Sequence, residues 1–393
     1  MSREYPPAKR MGGIATYLKI VAEEFVKQGH KVTVVAANDD TRFRRDEKIN
    51  GVNIIRLQGG DFFVPEEESN DSKIKRLRSL YRFYSYRKLI RKEIEKIPDI
   101  DIIEVAEYGA EYLYLLNLKI PLTIRLHTAT LLDRSTGRIK DFKLSRIHEY
   151  ILGKKEKRIL EKVPFISSCC NSLLEWTQNY YNIEASNPVV IYNPINLSLW
   201  KYNTEVDYME NSILFAGTVT KEKGIRDLID ACLFLRKSGI PVMLTVAGKL
   251  GSYGEKLKEE ISKDNKDWCK ILGHVSQNQL RELYSSHKVS CFPSWWEALG
   301  MVCLEAMACG NITLTSDIGG FSEIITDGKD GFLVKQKDPK QLALKLKNAL
   351  GLSKEDVESI KFNARNTLRE KFSVELISKN LEKHYQNVIA AWK

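Results

Sequence analysis

The sequence predicts an α/β protein built from two doubly wound domains with a cleft between them. Strand-like apolar runs alternate with amphipathic helical runs along the chain, and one segment that lacks this alternation divides the chain into two similar halves. A length of 393 residues suggests about two or three domains with substantial cores, and 43% hydrophobic with 28% charged residues are typical of a globular protein.

The predicted elements follow each other in a regular order. Strands of the first half are predicted at 31–37, 52–57, 101–105, 122–127, 165–168 and 189–192. Strands of the second half are predicted at 213–217, 242–248, 270–273, 289–293, 312–315 and 331–334. The helices between them include 15–28, 227–238, 277–287 and 339–350, and a last helix covers 374–392.

The domain boundaries follow from the interrupted segment. Residues 196–211 combine mixed charges with a tryptophan and are predicted to be a linker. An N-terminal domain of residues 1–195 would precede it, and a C-terminal domain of residues 212–373 would follow. The C-terminal helix, 374–393, could pack back on the first domain.

Composition excludes several classes of protein. No apolar run approaches the ~18 residues of a membrane span, and the N-terminus lacks the apolar core of a secretion signal. The seven cysteines show no metal-ligand spacing and the six histidines do not cluster. We therefore expect a cytoplasmic protein without a metal or another cofactor.

A glycine pair opens the chain's first predicted helix. Gly12 and Gly13 would let the backbone approach a ligand closely, and the helix N-terminus would point at it. Such a loop normally follows a strand, yet only four residues precede Tyr5. Either the start is truncated or the first sheet lacks its usual first strand, and a truncated or misassigned start is favoured. The glycine fingerprints of dinucleotide-binding and P-loop proteins are both absent.

A basic segment accounts for much of the net charge of +10. Ten Lys or Arg residues lie in 73–96 against Glu93 and Glu95, with aromatic and apolar residues at helical spacing. Three interpretations remain open: a helix on an anionic membrane surface, a nucleic-acid contact, and a solvated helix whose apolar residues face the core. No nucleic-acid fold signature accompanies the segment, so no nucleic-acid partner is expected.

Two strand ends carry residues suited to binding. His127 closes a predicted strand, where open α/β sheets bind ligands, although a lone histidine can equally be structural. Lys223 lies in a basic loop after the strand that ends at Gly217, and it could neutralise a diphosphate as a point charge. Lys221 and Lys223 could instead be ordinary surface lysines.

Two carboxylates bracket the most informative stretch of the chain, 293–310. Glu297 follows a predicted buried strand, a helix is expected to begin near Gly300, and Glu305 falls about a turn and a half into it before Gly310 ends it. Carboxylates bind sugar hydroxyls, and the helix N-terminus offers amides to a phosphate. The stretch therefore predicts a binding site for a nucleotide sugar. The alternative is a solvated acidic pair beside a core helix.

Together these segments resemble the retaining glycosyltransferases of family 4, which have the GT-B fold and include enzymes of bacterial cell-surface polysaccharide synthesis. The resemblance covers nearly the whole chain. Its motifs, in order, are Glu4-Tyr5-Pro6-Pro7 with Gly12-Gly13-Ile14, Arg125-Leu126-His127-Thr128, Gly217 with Lys223-Gly224, Gly273-His274-Val275-Ser276, Glu297 with Glu305, and Gly319-Gly320 with Glu323.

The resemblance implies a role for each matching residue of the second domain. Glu305 would hold the ribose hydroxyls, Glu297 would contact the transferred sugar, and Lys223 would meet the diphosphate. The backbone of Gly273 and His274 would line the base pocket. Amides that would contact the sugar and diphosphate belong to Ala298, Leu299, Gly300, Met301 and Val302.

In the first domain, the resemblance implies that Gly12 and Gly13 approach the diphosphate and that His127 contacts the donor sugar near the reacting carbon. It gives Asn193 a place in the segment between the domains. The catalytic set would be His127, Glu297 and Lys223.

The implied activity is that of a hexosyltransferase-type enzyme. A nucleotide-diphosphate sugar would be the donor, and a glycan or lipid-linked molecule the acceptor. One position departs from the family pattern: Thr218 stands where the family usually has an arginine beside the glycine matched by Gly217. The alternative is thus a catalytically weakened, membrane-associated protein that still binds sugar nucleotides. A sugar-nucleotide epimerase of the same fold is a further possibility.

Overall fold

The computed structural model describes residues 4–8, 12–40, 42–58, 73–143, 147–183, 187–201, 208–263 and 267–392, with the backbone alone for 73–80 and 148. It divides into two compact units. The first comprises 1–132, 138–194 and 374–393, and the second 133–137 and 195–373. Residues 133–137 thus fall in the second unit, although the sequence predicted one continuous domain over 1–195.

The described residues form helices and strands in alternation. The helices are α1 (Gly13–Lys27), α2 (Lys73–Ile94), α3 (Ile147–Leu160), α4 (Asn171–Tyr181), α5 (Ile225–Lys237), α6 (Gly251–Lys263), α7 (Gln277–Ser286), α8 (Met301–Ala308), α9 (Phe321–Ile324), α10 (Pro339–Leu350), α11 (Lys354–Phe372) and α12 (Val374–Ala391). The strands are β1 (Thr33–Ala37), β2 (Arg45–Ile49), β3 (Val52–Leu57), β4 (Ile103–Ala106), β5 (Leu122–Leu126), β6 (Leu132–Asp133), β7 (Arg138–Ile139), β8 (Ile166–Ser168), β9 (Val189–Val190), β10 (Met209–Ala216), β11 (Met243–Ala247), β12 (Cys269–Gly273), β13 (His287–Phe292), β14 (Ile312–Ser316) and β15 (Phe332–Val334).

The second unit is built on one six-stranded parallel sheet. Its strand order is β12-β11-β10-β13-β14-β15, so the order reverses between β10 and β13. Every residue of β13 and β14 is buried, as expected for parallel strands covered by helices on both faces. Helices α5 and α10 contribute apolar faces to the same core.

The first unit contains a parallel sheet in the order β4-β5-β8-β9 and a smaller sheet in the order β1-β3-β2. The sequence missed β2, because its residues are mostly charged and exposed and show no apolar alternation. This strand pairs antiparallel to β3 at the edge of its sheet, where charged side chains discourage pairing with another chain.

The start of the chain forms no strand over residues 4–8. Tyr5 is fully buried there, and its carbonyl accepts a hydrogen bond of 2.9 Å from Nη1 of the buried Arg56. The predicted linker also needs correction. Residues 202–207 lie outside the described part of the chain, and β10 already begins at Met209.

The last helix, α12, belongs to the first unit. Its apolar residues Ile377 and Leu381 pack in a cluster with α1 residues that include Tyr17 and Phe25. His384 Nε2 lies 2.8 Å from Thr123 Oγ1 of β5, so the helix is also joined to the sheet by a hydrogen bond.

The packing of α12 gives a testable consequence for stability. Leu381 is fully buried, so Leu381→Ala should destabilise the first unit by about 2–5 kcal/mol through lost burial and a residual cavity. Urea unfolding followed by circular dichroism measures this. Lys383→Ala, at an exposed position of the same helix, is the matched control. Equal midpoints for the two variants would contradict this account of the packing.

Candidate functional site

The reversal of strand order brings two loops of the second unit together. Because β10 and β13 are parallel neighbours, their carboxyl ends meet at one edge of the sheet. The loops that follow them, 217–224 and 293–300, therefore lie side by side. Open α/β sheets bind ligands at such a reversal, outside the carboxyl ends of the strands.

Short contacts hold these two loops against each other. The Trp295 amide donates to the Glu222 carbonyl at 2.8 Å, and Trp295 Nε1 donates to Asp227 Oδ2 at 2.7 Å. Gly224 has φ +68°, and a Cβ there would lie 1.9 Å from the Pro293 carbonyl oxygen. This position requires glycine both for its backbone conformation and for the close approach of the two loops.

Several charged groups converge at the joined loops. Lys223 Nζ forms an ion pair with Glu297 Oε2, and the two side chains are 22% and 17% exposed. Two more cations lie over the Trp295 ring: Lys221 Nζ is 5.6 Å and Lys337 Nζ 4.6 Å from its centroid. The structure thus brings together Lys223 and Glu297, which the sequence singled out, and adds Trp295 and Lys337, which it did not.

Gly217 directly follows β10 and has free space at the position of a side chain. A Cβ at Gly217 would meet no atom within 4 Å, and the next side chain, Thr218, is exposed. Gly217 N donates to the Ala247 carbonyl of the neighbouring strand at 2.9 Å. A cation is therefore absent at position 218 itself, while Lys221 lies on the Trp295 ring in the turn that follows.

Glycines continue along the ends of the adjacent strands. Gly248 N donates to the Gly273 carbonyl at 2.7 Å, and a Cβ at Gly248 would lie 1.9 Å from the Gly217 carbonyl oxygen. Gly273 has φ +78° with open space at its Cβ position, and His274 after it is exposed. Sequence reasoning did not single out Gly248, although the residue ends a predicted strand.

The helix α8 begins in the glutamate stretch as the sequence predicted. Gly300 is its N-cap with φ +85°, and no side chain caps the helix. A Cβ at Gly300 would lie 2.2 Å from the Phe321 ring, and one at Gly320 would lie 2.0 Å from the Ala298 carbonyl oxygen. Leu299 and Met301 are buried, while Ala298 and Val302 are half-buried.

Glu305 is the fifth residue of α8 and is only 9% exposed. Burial raises the pKa of its carboxyl group to about 8. Among the described residues, its carboxylate has no hydrogen-bond partner. A carboxylate in this state is costly in free energy and is available to a ligand with hydroxyl donors.

The remaining predicted site residues belong to the first unit. Gly12, in extended conformation, is the N-cap of α1, and Gly13 is the first helical residue. No side chain caps this N-terminus, and both glycines are exposed. The amides of the first turn therefore remain open to a ligand.

His127 directly follows β5, one residue beyond the strand's last residue. It is 7% exposed, and its ring packs edge-on against Tyr17 with a centroid distance of 5.0 Å. Burial, and secondarily the charge of Arg125, lower the pKa of His127 well below its usual range. The imidazole is therefore neutral at neutral pH and able to donate or accept a hydrogen bond.

Two buried glutamates hold the loop that presents His127. Glu107 Oε1 accepts hydrogen bonds from the amides of His127, at 2.7 Å, and Thr128. Glu156 accepts from the Thr130 amide at 2.9 Å and from the Thr130 hydroxyl at 2.5 Å. Burial raises the pKa of both carboxyls, that of Glu156 to about 7. The sequence missed both, since isolated glutamates carry no signal.

Asn193 has a structural contact. Its Oδ1 accepts a hydrogen bond of 2.9 Å from Arg125 Nη2, and the same guanidinium nitrogen donates to the Ile191 carbonyl at 2.6 Å. Both Asn193 and Arg125 are buried. This pair joins the chain after β9 to β5.

In the part of the chain that the structure describes, no group of three or more His, Cys, Asp and Glu residues could hold a metal ion. The helices of that part include none that is long and apolar enough to cross a membrane.

The buried Glu305 predicts a pH dependence of stability. Its pKa of about 8 exceeds the unfolded value, so the folded state holds one more proton between these two values. The contribution of Glu305 to the free energy of unfolding is therefore fully present below the unfolded pKa. It is lost as the pH rises through about 8. Glu305→Gln should be more stable than the wild type by at least about 1 kcal/mol at about pH 9, and nearly equal at about pH 4.5.

Urea unfolding at both pH values measures this difference. Glu259→Gln, at an exposed position of α6, is the matched control and should change neither midpoint. The same difference from wild type for Glu305→Gln at both pH values would contradict the assignment.

The sequence matches two family models. The model of glycosyltransferase family 4 matches residues 11–199, and that of glycosyl transferases group 1 matches residues 200–367. An uncharacterised glycosyltransferase of Methanocaldococcus jannaschii is 28% identical and covers 98% of this chain and 96% of its own. The capsular polysaccharide biosynthesis glycosyltransferase CapM of Staphylococcus aureus is 28% identical over 44% of this chain and 46% of its own.

Solved structures share the fold. Sucrose-phosphate synthase from Thermosynechococcus elongatus superposes with a TM-score of 0.83 at 19% identity, covering 100% of this chain and 98% of its own. Anabaena HepE in complex with UDP-glucose gives a TM-score of 0.70 at 15% identity, covering 98% and 99%. The two family models together span nearly the whole chain, and this protein belongs to the family 4 glycosyltransferases with the GT-B fold.

Proposed function

We propose that this protein is a retaining glycosyltransferase that moves a sugar from a nucleoside-diphosphate sugar to a glycan or lipid-linked acceptor. The observation that carries the proposal is the buried carboxylate of Glu305, which has no partner among the described residues. It lies in the helix that starts beside the joined loops, at the reversal of strand order. HepE, crystallised with UDP-glucose, supports this class of donor.

Each residue of the second unit takes a role that its chemistry allows. Glu305 accepts hydrogen bonds from the ribose hydroxyls, and Glu297 accepts from hydroxyls of the transferred sugar. The amides from Ala298 to Val302, at the uncapped start of α8, bind the sugar and the diphosphate. The open backbone at Gly273 and His274 leaves room for the base.

The leaving diphosphate is stabilised by charge. As the bond between the anomeric carbon and the phosphate oxygen breaks, Lys223 and the α8 amides meet the negative charge that develops. The acceptor hydroxyl attacks from the same face, so anomeric configuration is retained, and its proton ends on the departing phosphate. Lys221 and Lys337, close to the Trp295 ring, supply positive charge where Thr218 replaces the family's arginine.

In the first unit, the neutral imidazole of His127 contacts the donor sugar near the reacting carbon. The open amides at Gly12 and Gly13 meet a phosphate of the donor. No metal takes part in this proposal, because cations and amides of the chain bear the charge.

The alternative is a protein of the same fold that binds sugar nucleotides without turnover. The exposed Thr218, which leaves its position without a cation, favours it. The two functions differ in one observation: a donor that binds without yielding any glycosylated product, across a range of acceptors, would identify the weakened protein.

The proton coupling of the new anomeric centre, measured by NMR, would show whether configuration is retained.

The segment 73–96 suggests where the acceptor is found. In α2, Phe83, Tyr86 and Ile90 are buried, while Tyr81, Lys88 and Lys92 are exposed. From Tyr81 onward, the helix therefore has a core-facing side and a basic, aromatic outer side. We propose that the outer side contacts anionic lipid at the cytoplasmic face of a membrane, with a lipid-linked acceptor of polysaccharide or glycolipid synthesis.

Not every basic residue of this segment is available for lipid. Arg87 is fully buried, and its guanidinium donates to the Ala110 and Phe83 carbonyls, each at 3.1 Å. Lys155 of α3 extends the outer side instead, since its Nζ lies 4.8 Å from the Tyr84 ring centroid.

Nucleotide binding tests the proposed donor. One of UDP, ADP and GDP should raise the melting temperature of the wild type and bind at least about tenfold more tightly than its 2′-deoxy counterpart, because Glu305 loses a hydroxyl partner in the latter. Glu305→Leu, whose side chain has no acceptor, should bind the two forms within about twofold of each other. Equal preference for the ribose form in wild type and variant would contradict the role of Glu305.

Liposome co-sedimentation tests the membrane contact. Binding should increase with anionic lipid and fall by about tenfold or more when Arg76, Arg78, Arg82 and Lys88 are changed to Gln, since each basic residue contributes about 1 kcal/mol near such a surface. The matched control changes exposed lysines of the second unit to Gln: Lys256, Lys258, Lys263 and Lys270. Equal binding to neutral and anionic vesicles, or equal losses in both variants, would argue against the contact.

A further inference from the structure

The two charged residues assigned to the donor are bound to each other in the free protein. Lys223 Nζ pairs with Glu297 Oε2, although the proposed function gives one to the diphosphate and the other to the sugar. We propose that this ion pair makes sugar recognition depend on the diphosphate: Glu297 becomes available to sugar hydroxyls only when a diphosphate replaces it on Lys223. The inference rests on the proposed function and adds specificity to it.

The backbone does not allow the pair to open by separating the loops. The hydrogen bond from the Trp295 amide to the Glu222 carbonyl joins the chain one residue before Lys223 to the chain two residues before Glu297. Gly224 packs against the Pro293 carbonyl with no room for a Cβ. The two charged side chains therefore stay neighbours, and they separate only through rotation of the side chains themselves.

The other side of Glu297 is fixed as well. Its carbonyl accepts a hydrogen bond of 3.1 Å from the Gly320 amide, and a Cβ at Gly319 would lie 2.1 Å from that carbonyl oxygen. With the backbone held on both sides, Glu297 can leave Lys223 only by rotation of its own side chain.

The strength of the pair suits a contact that a ligand can displace. Both side chains keep some exposure, so solvent weakens their attraction, and an ion pair of this kind contributes little to folding. A diphosphate carries more negative charge than one carboxylate and offers several oxygens to the ammonium group. It can therefore displace Glu297 from Lys223, whereas a free sugar has no charge with which to do so.

The two neighbouring lysines do not replace Lys223 as the partner of Glu297. Lys221 and Lys337 lie over the Trp295 ring, and Lys337 also donates to the Ser135 carbonyl at 2.5 Å. Neither forms an ion pair with Glu297 among the described residues. Because coupling between two ligand groups is reciprocal, diphosphate binding should strengthen sugar binding to the same degree that the sugar strengthens diphosphate binding.

A double-mutant cycle tests the coupling. The probe is the one of UDP, ADP and GDP that best stabilises the wild type, titrated calorimetrically into wild type, Glu297→Gln, Lys223→Gln and the double variant. Glu297→Gln keeps the shape of the side chain and frees Lys223, so it should bind the probe about three- to tenfold more tightly than wild type. In the Lys223→Gln background the same change should give no gain, because there is no ammonium group left to free.

A matched control separates release of Lys223 from a general loss of negative charge. Glu222→Gln removes the same charge from the residue adjacent to Lys223 and leaves the ion pair intact, so its affinity should stay within about twofold of wild type. An unchanged affinity for Glu297→Gln, or an equal gain in the Lys223→Gln background, would overturn the coupling. If no nucleoside diphosphate binds any of the proteins, the proposed function fails, and the coupling fails with it.

Discussion

The candidate site depends on the reversal of strand order between β10 and β13. Parallel strands on the two sides of this reversal send their following helices to opposite faces of the sheet, which leaves their carboxyl ends uncovered. The two loops at those ends can then meet, and Gly224 allows them to meet backbone to backbone. Lys223 and Glu297, far apart in sequence, become neighbours as a consequence.

The buried charged groups of the two units differ in whether other residues bind them. Glu305 has no hydrogen-bond partner among the described residues and burial raises its pKa, whereas Glu156 is surrounded by donors and Arg125 is held by carbonyl groups. The first arrangement suits a group kept for a ligand, and the others suit groups that hold loops in place. Burial alone therefore does not distinguish a carboxylate proposed to bind a ligand from one that holds a loop in place.

Much of the fold followed from the sequence. The runs of β13 and β14 combine apolar and β-branched residues with few charges, which predicts buried strands, and the structure has them near the expected residues. Helix α8 begins at Met301 after Gly300, as its glycine and apolar residues indicated. The sequence failed at β2, where pairing with β3 forms a strand from charged residues without any alternation to reveal it.

By itself, the sequence determined the two-part α/β organisation, the family resemblance, and the identity of Glu297, Glu305, Lys223 and His127 as candidate residues, because periodicity and motif spacing are local properties of the chain. Only the tertiary structure decided their partners. The pairing of Lys223 with Glu297, the isolation of Glu305 and the support of the His127 loop by Glu107 depend on strand order and on contacts between distant segments. Such contacts leave no local pattern, since their partners are chosen by packing rather than by neighbours in the chain.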